Sequence, residues 1–263
     1  MENRFSDFAR MSETLGNQLG DVYGEVMDAE WQLRYRESWV LEQVNPRDLE
    51  PRVFNENRRR NREKAIEFLA TYPALLLSLI RRDHMEELDR QADRVRRDLV
   101  VLQQHGSGWI SPPVAGVAAA LVNTIPHLLR GATTYKLVRR LMHVNDEVFA
   151  ALCRELEADL WDCRLWVERC FSRRFRWEVS DAWPDQPSGR ERVAKAGMKL
   201  LQKRDSVLAL LDQSIAVLPE LCAAHTELML RVRSSRGIWP AMRQLAAALD
   251  QLGQCLEACR EKR

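Results

Sequence analysis

An all-α fold follows from three observations. Apolar residues recur at alternating steps of three and four along most of the 263 residues, the spacing that gathers them on one face of a helix. No segment alternates apolar and polar residues with period two, and no Asn-Gly or Asp-Gly hairpin turn occurs. Turn-forming stretches at Asn45–Pro51, Gly106–Pro113, Ser180–Gly189 and Ser234–Gly237 divide the chain into long helical runs. Together these predict an elongated antiparallel helical bundle, with coiled-coil-like long helices and a short apolar helix near its centre. The chain reads as one domain over 1–263, with N-terminal long helices in 1–104, an apolar charge-free segment in 105–131 and C-terminal long helices in 132–263.

The first forty residues repeat with a period of seven. One seam reads Phe5, Ser12, Leu19, Val26, Leu33, Val40 and the other Phe8, Leu15, Val22, Ala29, Arg36, as a helix–helix interface requires. Asn45-Pro46 and Pro51 end this helix in a short connector. A second helical region runs from Arg52 to Gln104. Pro73 lacks the N–H that an interior position needs, so a kink or restart is expected there. Beyond it Leu88, Ala92, Val95, Leu99 and Leu102 resume the four-three pattern.

Gly106-Ser107-Gly108 stops that run, and Ser111-Pro112-Pro113 starts a helix expected from Val114 to Arg130. A long helix follows from Tyr135 to Val179. The loop Ser180–Gly189, with Pro184 and Pro187, is the clearest in the chain. The next helix carries the seams Val193, Leu200, Val207, Ser214, Leu221, Leu228 and Gly197, Arg204, Leu211, Leu218, His225, Val232, with Pro219 expected to bend it. Ser234 to Gly237 breaks the chain, and Pro240 suits the first turn of a final helix whose seam is Met242, Leu245, Leu249, Leu252, Leu256 and Cys259.

The segment between Leu99 and Leu129 contains no Asp, Glu, Lys or Arg, although these make up 30% of the chain. At that density a window of this length would hold roughly nine, against a typical charged fraction of about a quarter. A helix apolar on every face is buried, and a core helix is the preferred reading. The sharper reading is a conditional membrane element or a partner-binding groove, carried by Val114, Val117, Leu121, Val122, Ile125, Leu128 and Leu129. The layout, long helices flanking an apolar stretch, is that of α-helical pore-forming proteins, but no motif supports the analogy. Pro126 weakens it, and no run reaches the roughly 18 to 20 apolar residues of an ordinary span.

Forty basic and 38 acidic side chains leave a net charge of +2, which argues against a nucleic-acid partner. Arg173, Arg174, Arg176 and Trp177 nevertheless interleave cations with aromatics, a pattern suited to an anionic surface. The alternative is a solvated helix end whose cations complement the helix dipole while Phe171, Phe175 and Trp177 pack inward. Arg58-Arg59-Arg60-Asn61-Arg62 reads as a solvated face diluted by Glu56 and Glu63, and Glu155, Asp159 and Asp162 as a charged exterior.

Six cysteines without a disulfide or zinc spacing read as reduced, buried thiols. His225, on a seam, reads as a hydrogen-bonded core or boundary residue. No phosphate loop, dinucleotide fingerprint, zinc-protease helix or nucleophile elbow occurs, so no catalytic, cofactor or metal residue and no small-molecule substrate is assigned. The expectation is a non-enzymatic adaptor, scaffold or self-assembling component, partnered by a protein or a second copy through the seam Phe5, Phe8, Leu15, Leu19, Val22, Val26 and Leu33. The alternatives are a membrane-active effector inserting 114–129 and, third, a nucleic-acid-binding bundle. A charged N-terminus, Glu2 to Asp7, lacks the apolar core of a secretory signal, so the expected location is cytoplasmic, with contact at a membrane periphery as the variant.

Overall fold

The computed structural model describes residues 2–40, 56–81, 85–104, 134–184, 186–230 and 240–261. Six α-helices pack against one another there: α1 (Glu2–Val40), α2 (Glu56–Arg81), α3 (Met85–Gln104), α4 (Thr134–Phe175), α5 (Pro187–Leu230) and α6 (Pro240–Arg260). A π-helical turn, Arg176–Ser180, continues α4. The fold is an all-α bundle, and the described residues contain no strand. The connector 41–55 and the charge-free residues 105–133 lie outside the described residues, and with them the expected helix from Val114 to Arg130.

Cross-helix pairs fix the directions. Phe8 meets Phe149, Tyr23 meets Asp159 and Gln32 meets Arg174, so α1 and α4 run parallel. Arg81 reaches Glu2 and Ile66 lies against Gly16, so α2 is antiparallel to α1. α5 returns along α4, from Asp212 beside Arg164 to His225 beside Asp146. α6 in turn runs back along α5, from Glu227 beside the Ala241 amide to Lys203 beside Cys259. Among the described elements α3 packs on α2 alone, with Asp98 against Thr71 and Lys64.

The core follows the apolar periodicity read from the sequence. Leu15, Leu19, Val22 and Val26 of α1 are fully buried, as are Leu152, Leu156 and Leu160 of α4 and Val207, Leu211, Leu218 and Leu221 of α5. Such stripes, rather than intrinsic propensity, supply most of a long helix's stability.

Three boundaries depart from expectation. α2 does not restart at Pro73, the second of the two outcomes expected there, but continues through it and ends at Arg81. Tyr72, Leu75, Leu76 and Leu79 around that proline are wholly buried, and that burial offsets the missing backbone hydrogen bond. α5 begins at Pro187, inside the expected loop, because proline is pre-organised for a first helical position, and it runs on past Pro219 to Leu230. α4 gives way to the π turn after Phe175, where α5 packs closely: a Cβ on Gly197 would meet Val179 Cγ2 at 2.9 Å. Only glycine admits that approach.

Candidate functional site

Among the described residues, two of the polar clusters inside the bundle bring aromatic and charged side chains together. In the first, α2, α4 and α5 converge. His225, 1% exposed, has Nδ1 at 3.0 Å from Asp146 Oδ1 and Nε2 at 3.3 Å from Tyr72 Oη. The network assigns the tautomer: Nδ1–H donates to the carboxylate, and Nε2 accepts from the tyrosine hydroxyl. Phe149 stacks on the imidazole at 4.5 Å and Phe8 closes it from α1 at 6.0 Å. The hydrogen bond to His225 holds the Asp146 carboxyl below its ordinary range. Burial, aided by the Asp146 charge, pushes the Tyr72 hydroxyl well above its own.

The order carboxylate–imidazole–hydroxyl is that of a nucleophile relay. Here the terminal hydroxyl belongs to a wholly buried tyrosine, and neither of the two main clefts among the described residues is lined by it. The arrangement satisfies three polar groups and joins three helices. His225 is the core histidine that its seam position suggested.

The second cluster corrects the sequence reading. Asn61 and Arg62 are buried, Arg62 at 3% exposure, and so is Asp159 at 7%, where solvated faces were expected. The two charges neutralise each other: Arg62 Nε and Nη2 donate to the two Asp159 oxygens, the second bond at 2.8 Å. Tyr23 Oη donates to Asp159 at 3.0 Å, and the guanidinium lies 5.0 Å over the Tyr23 ring. Arg62 Nη2 also reaches Cys163 Sγ at 3.9 Å. Burial, opposed by Arg62, pushes the Cys163 thiol up to about 12, so it stays protonated and unreactive.

The association seam is engaged inside the chain. Phe5, Phe8, Leu15, Leu19, Val22, Val26 and Leu33 are each at most 2% exposed. They face α2, α4, α5 and α6, so pairing with a second copy through them requires α1 to leave its own bundle. The opposite face of α1 is open instead. Met27, Trp31 and Tyr35, one turn apart, are 37%, 48% and 52% exposed. On the same side, a Cβ on Gly20 or Gly24 would meet nothing within 4 Å. On α4, Trp161 and Leu165 are exposed at 45% and 48%. A cleft of about 460 Å³ lies beside them, lined by Leu33, Leu165, Trp166, Arg169, Cys170 and Arg173.

The interleaved cations divide. Arg174 donates to Glu178 Oε1 at 3.1 Å and to Gln32, which ties the end of α4 to α1. Arg173 and Arg176 are exposed, Trp177 is half-buried and Phe171 is buried. Of the Arg58 to Arg62 run, Arg59 lies 3.4 Å from Glu63 and Arg58 3.8 Å from Asp162. Val114, Val117, Leu121, Val122, Ile125, Leu128 and Leu129 fall outside the described residues. One described helix, α5, is long and apolar enough to cross a membrane by length and composition, and half of its most apolar window is buried in the bundle. No group of three or more potential metal ligands occurs among the described residues.

No family model, curated protein or solved structure matches this chain.

Proposed function

We propose that this chain is a non-enzymatic helical-bundle interaction protein, and that its contact surface is the outer face of α1. The observation that carries this reading is the stripe Met27, Trp31, Tyr35, exposed at one-turn spacing opposite a seam that is already filled. Large apolar side chains exposed singly are ordinary, whereas a contiguous stripe of them is characteristic of interaction sites. Gly20 and Gly24 extend it. Each helical glycine costs about 0.5–1 kcal/mol relative to alanine, and among the described residues nothing lies within 4 Å of a Cβ at either. Side by side, the glycines form a notch and Trp31 a knob, which suits a second helix carrying the same features.

The partner is therefore a helix, and a second copy of the chain is the first to test. Sedimentation of the wild type should show an oligomer that Trp31→Ser with Tyr35→Ser converts to a monomer of unchanged helicity. A wild type that stays monomeric at every concentration, indistinguishable from the double variant, would overturn self-association.

A second reading, contact with an anionic lipid surface, draws on exposed Arg173 and Arg176 beside Trp177 and the 48% exposed Trp183. Indole and guanidinium groups together favour a headgroup layer. It predicts co-flotation with anionic but not neutral vesicles, lost on Arg173→Ser with Arg176→Ser.

A further inference from the structure

Where α1 and α5 meet the end of α4, a cleft of about 480 Å³ opens, within the size range of small-molecule sites. Its two long walls carry opposite charge: α1 contributes Glu25 and Asp28, and α5 contributes Lys199 and Lys203. The Glu25–Lys203 ion pair, at 2.9 Å, bridges the walls and sets the register of these antiparallel helices. One turn forward on α1 and one turn back on α5, Asp28 and Ala29 come level with Leu200 and Lys199. A further turn brings Gln32 level with Ala196, and all of these residues line the cleft. Ala29 and Ala196 end at Cβ, so the walls leave room between them. Both ends are fixed. Lys203 also donates to the Cys259 carbonyl at 3.3 Å, and Arg174 donates to Glu178 at 3.1 Å and to Gln32 at 2.5 Å. Between the ends lie the buried side chains of Phe171 and Leu200, an apolar surface flanked by exposed Asp28 on one wall and exposed Lys199 on the other.

We propose that this cleft binds a free α-amino acid with a large apolar side chain. The ligand's ammonium faces Asp28 on the acidic wall, its carboxylate faces Lys199 on the basic wall, and its side chain lies on Phe171 and Leu200. The charge pattern selects a dipolar ion over simpler solutes. A lone anion meets the carboxylates of α1, a lone cation meets the ammonium groups of α5, and like charges brought together discriminate against both. A neutral apolar solute would displace water from both walls and return no polar contact to them. The dipolar ion answers both walls at once, and the bridges at the two ends hold the walls in place before it arrives, which lowers the cost of binding. The site is separate from the contact surface proposed on α1, since Met27, Trp31 and Tyr35 do not line it.

The test titrates the full chain with L-phenylalanine, and separately with hydrocinnamate, which lacks the ammonium, and phenethylamine, which lacks the carboxylate. Saturation-transfer NMR reads the binding. L-Phenylalanine should saturate at millimolar concentration or below. Each analogue should bind about tenfold more weakly or worse, the loss expected for one hydrogen bond between charged groups. Lys199→Met should weaken L-phenylalanine by a similar factor while leaving phenethylamine no weaker, and Asp28→Asn should do the same with hydrocinnamate as the insensitive ligand. Ala196→Met keeps every charge and fills the space, so it should abolish binding of all three. Asp28, Ala196 and Lys199 are exposed, so the helical circular dichroism of each variant should match the wild type. No saturable binding of L-phenylalanine, an analogue that binds as tightly as the amino acid, or full binding retained by both Lys199→Met and Ala196→Met would each overturn the proposal.

Discussion

Replacing Asp159 with asparagine keeps the side chain's shape and removes the carboxylate charge that accepts two hydrogen bonds from the Arg62 guanidinium. Arg62 is 3% exposed, so water cannot take over the lost role. Breaking a buried pair from one side costs about 3–5 kcal/mol, because the surviving charge stays in a poor solvent. The amide oxygen still accepts from Tyr23, so the loss is concentrated on Arg62. At about 2–4 °C per kcal/mol for a chain of this size, the melting temperature should fall by roughly 6–20 °C. Urea unfolding followed by far-UV circular dichroism measures the same loss as a lower midpoint with an unchanged slope. The triple variant Tyr23→Phe, Arg62→Met, Asp159→Leu should recover most of it, since apolar residues of similar volume often match or exceed a buried ion pair. A cost below about 1 kcal/mol for Asp159→Asn, the range of exposed pairs, would mean that the guanidinium is solvated and the cluster is not a core feature.

Two further outcomes follow from local geometry. Desolvation raises the Asp98 carboxyl to about 6, the nearby Lys64 charge acting the other way. Between its ordinary value and about pH 6 the folded chain therefore binds more protons than the unfolded one, so stability falls as pH rises through that window. Asp98→Asn should remove this slope and stabilise the chain above pH 6 while changing little at pH 3, as pH-dependent urea midpoints would show. Gly197→Ala should destabilise by about 1–3 kcal/mol, the usual range for overpacking, because its Cβ meets Val179 at 2.9 Å and Phe175 at 3.4 Å. In the same thermal-melt series Gly20→Ala, with nothing within 4 Å, should gain up to about 1 kcal/mol from helix propensity.

The helices were legible because their signal is local: a period near 3.5 sustained over many turns is visible without knowing the partner. The all-α bundle and its buried seams follow from it. The boundary between α2 and α3 was not legible. Nothing between Arg81 and Met85 is glycine or proline, and the obvious breaker, Pro73, sits in a helix held by its apolar neighbours. Both polar clusters were hidden for another reason. Arg62 and Asp159 are 97 residues apart, and each on its own looks like a surface charge. Only their meeting makes burial tolerable, and pairing of that kind leaves no periodic trace. His225 was visible as a seam histidine, but its partners Tyr72 and Asp146 lie on other helices. The open face of α1 could have been inferred by elimination, since Gly20, Gly24, Trp31 and Tyr35 all fall off the two seams, yet exposure is a property of what packs elsewhere.

The isolation of α3 has a consequence for how the chain yields under load. Five helices share one interior in which each touches at least two others, so none can be withdrawn without disturbing the rest. Among the described residues α3 is fastened to α2 alone, with Leu88, Val95, Leu99 and Leu102 buried and Asp98 in contact with α2. Cooperative units of unequal strength open in order of their shared surface. Among the described helices α3 thus shares its surface with a single neighbour, and in sequence it is the arm that leads into the uncharged stretch of the chain.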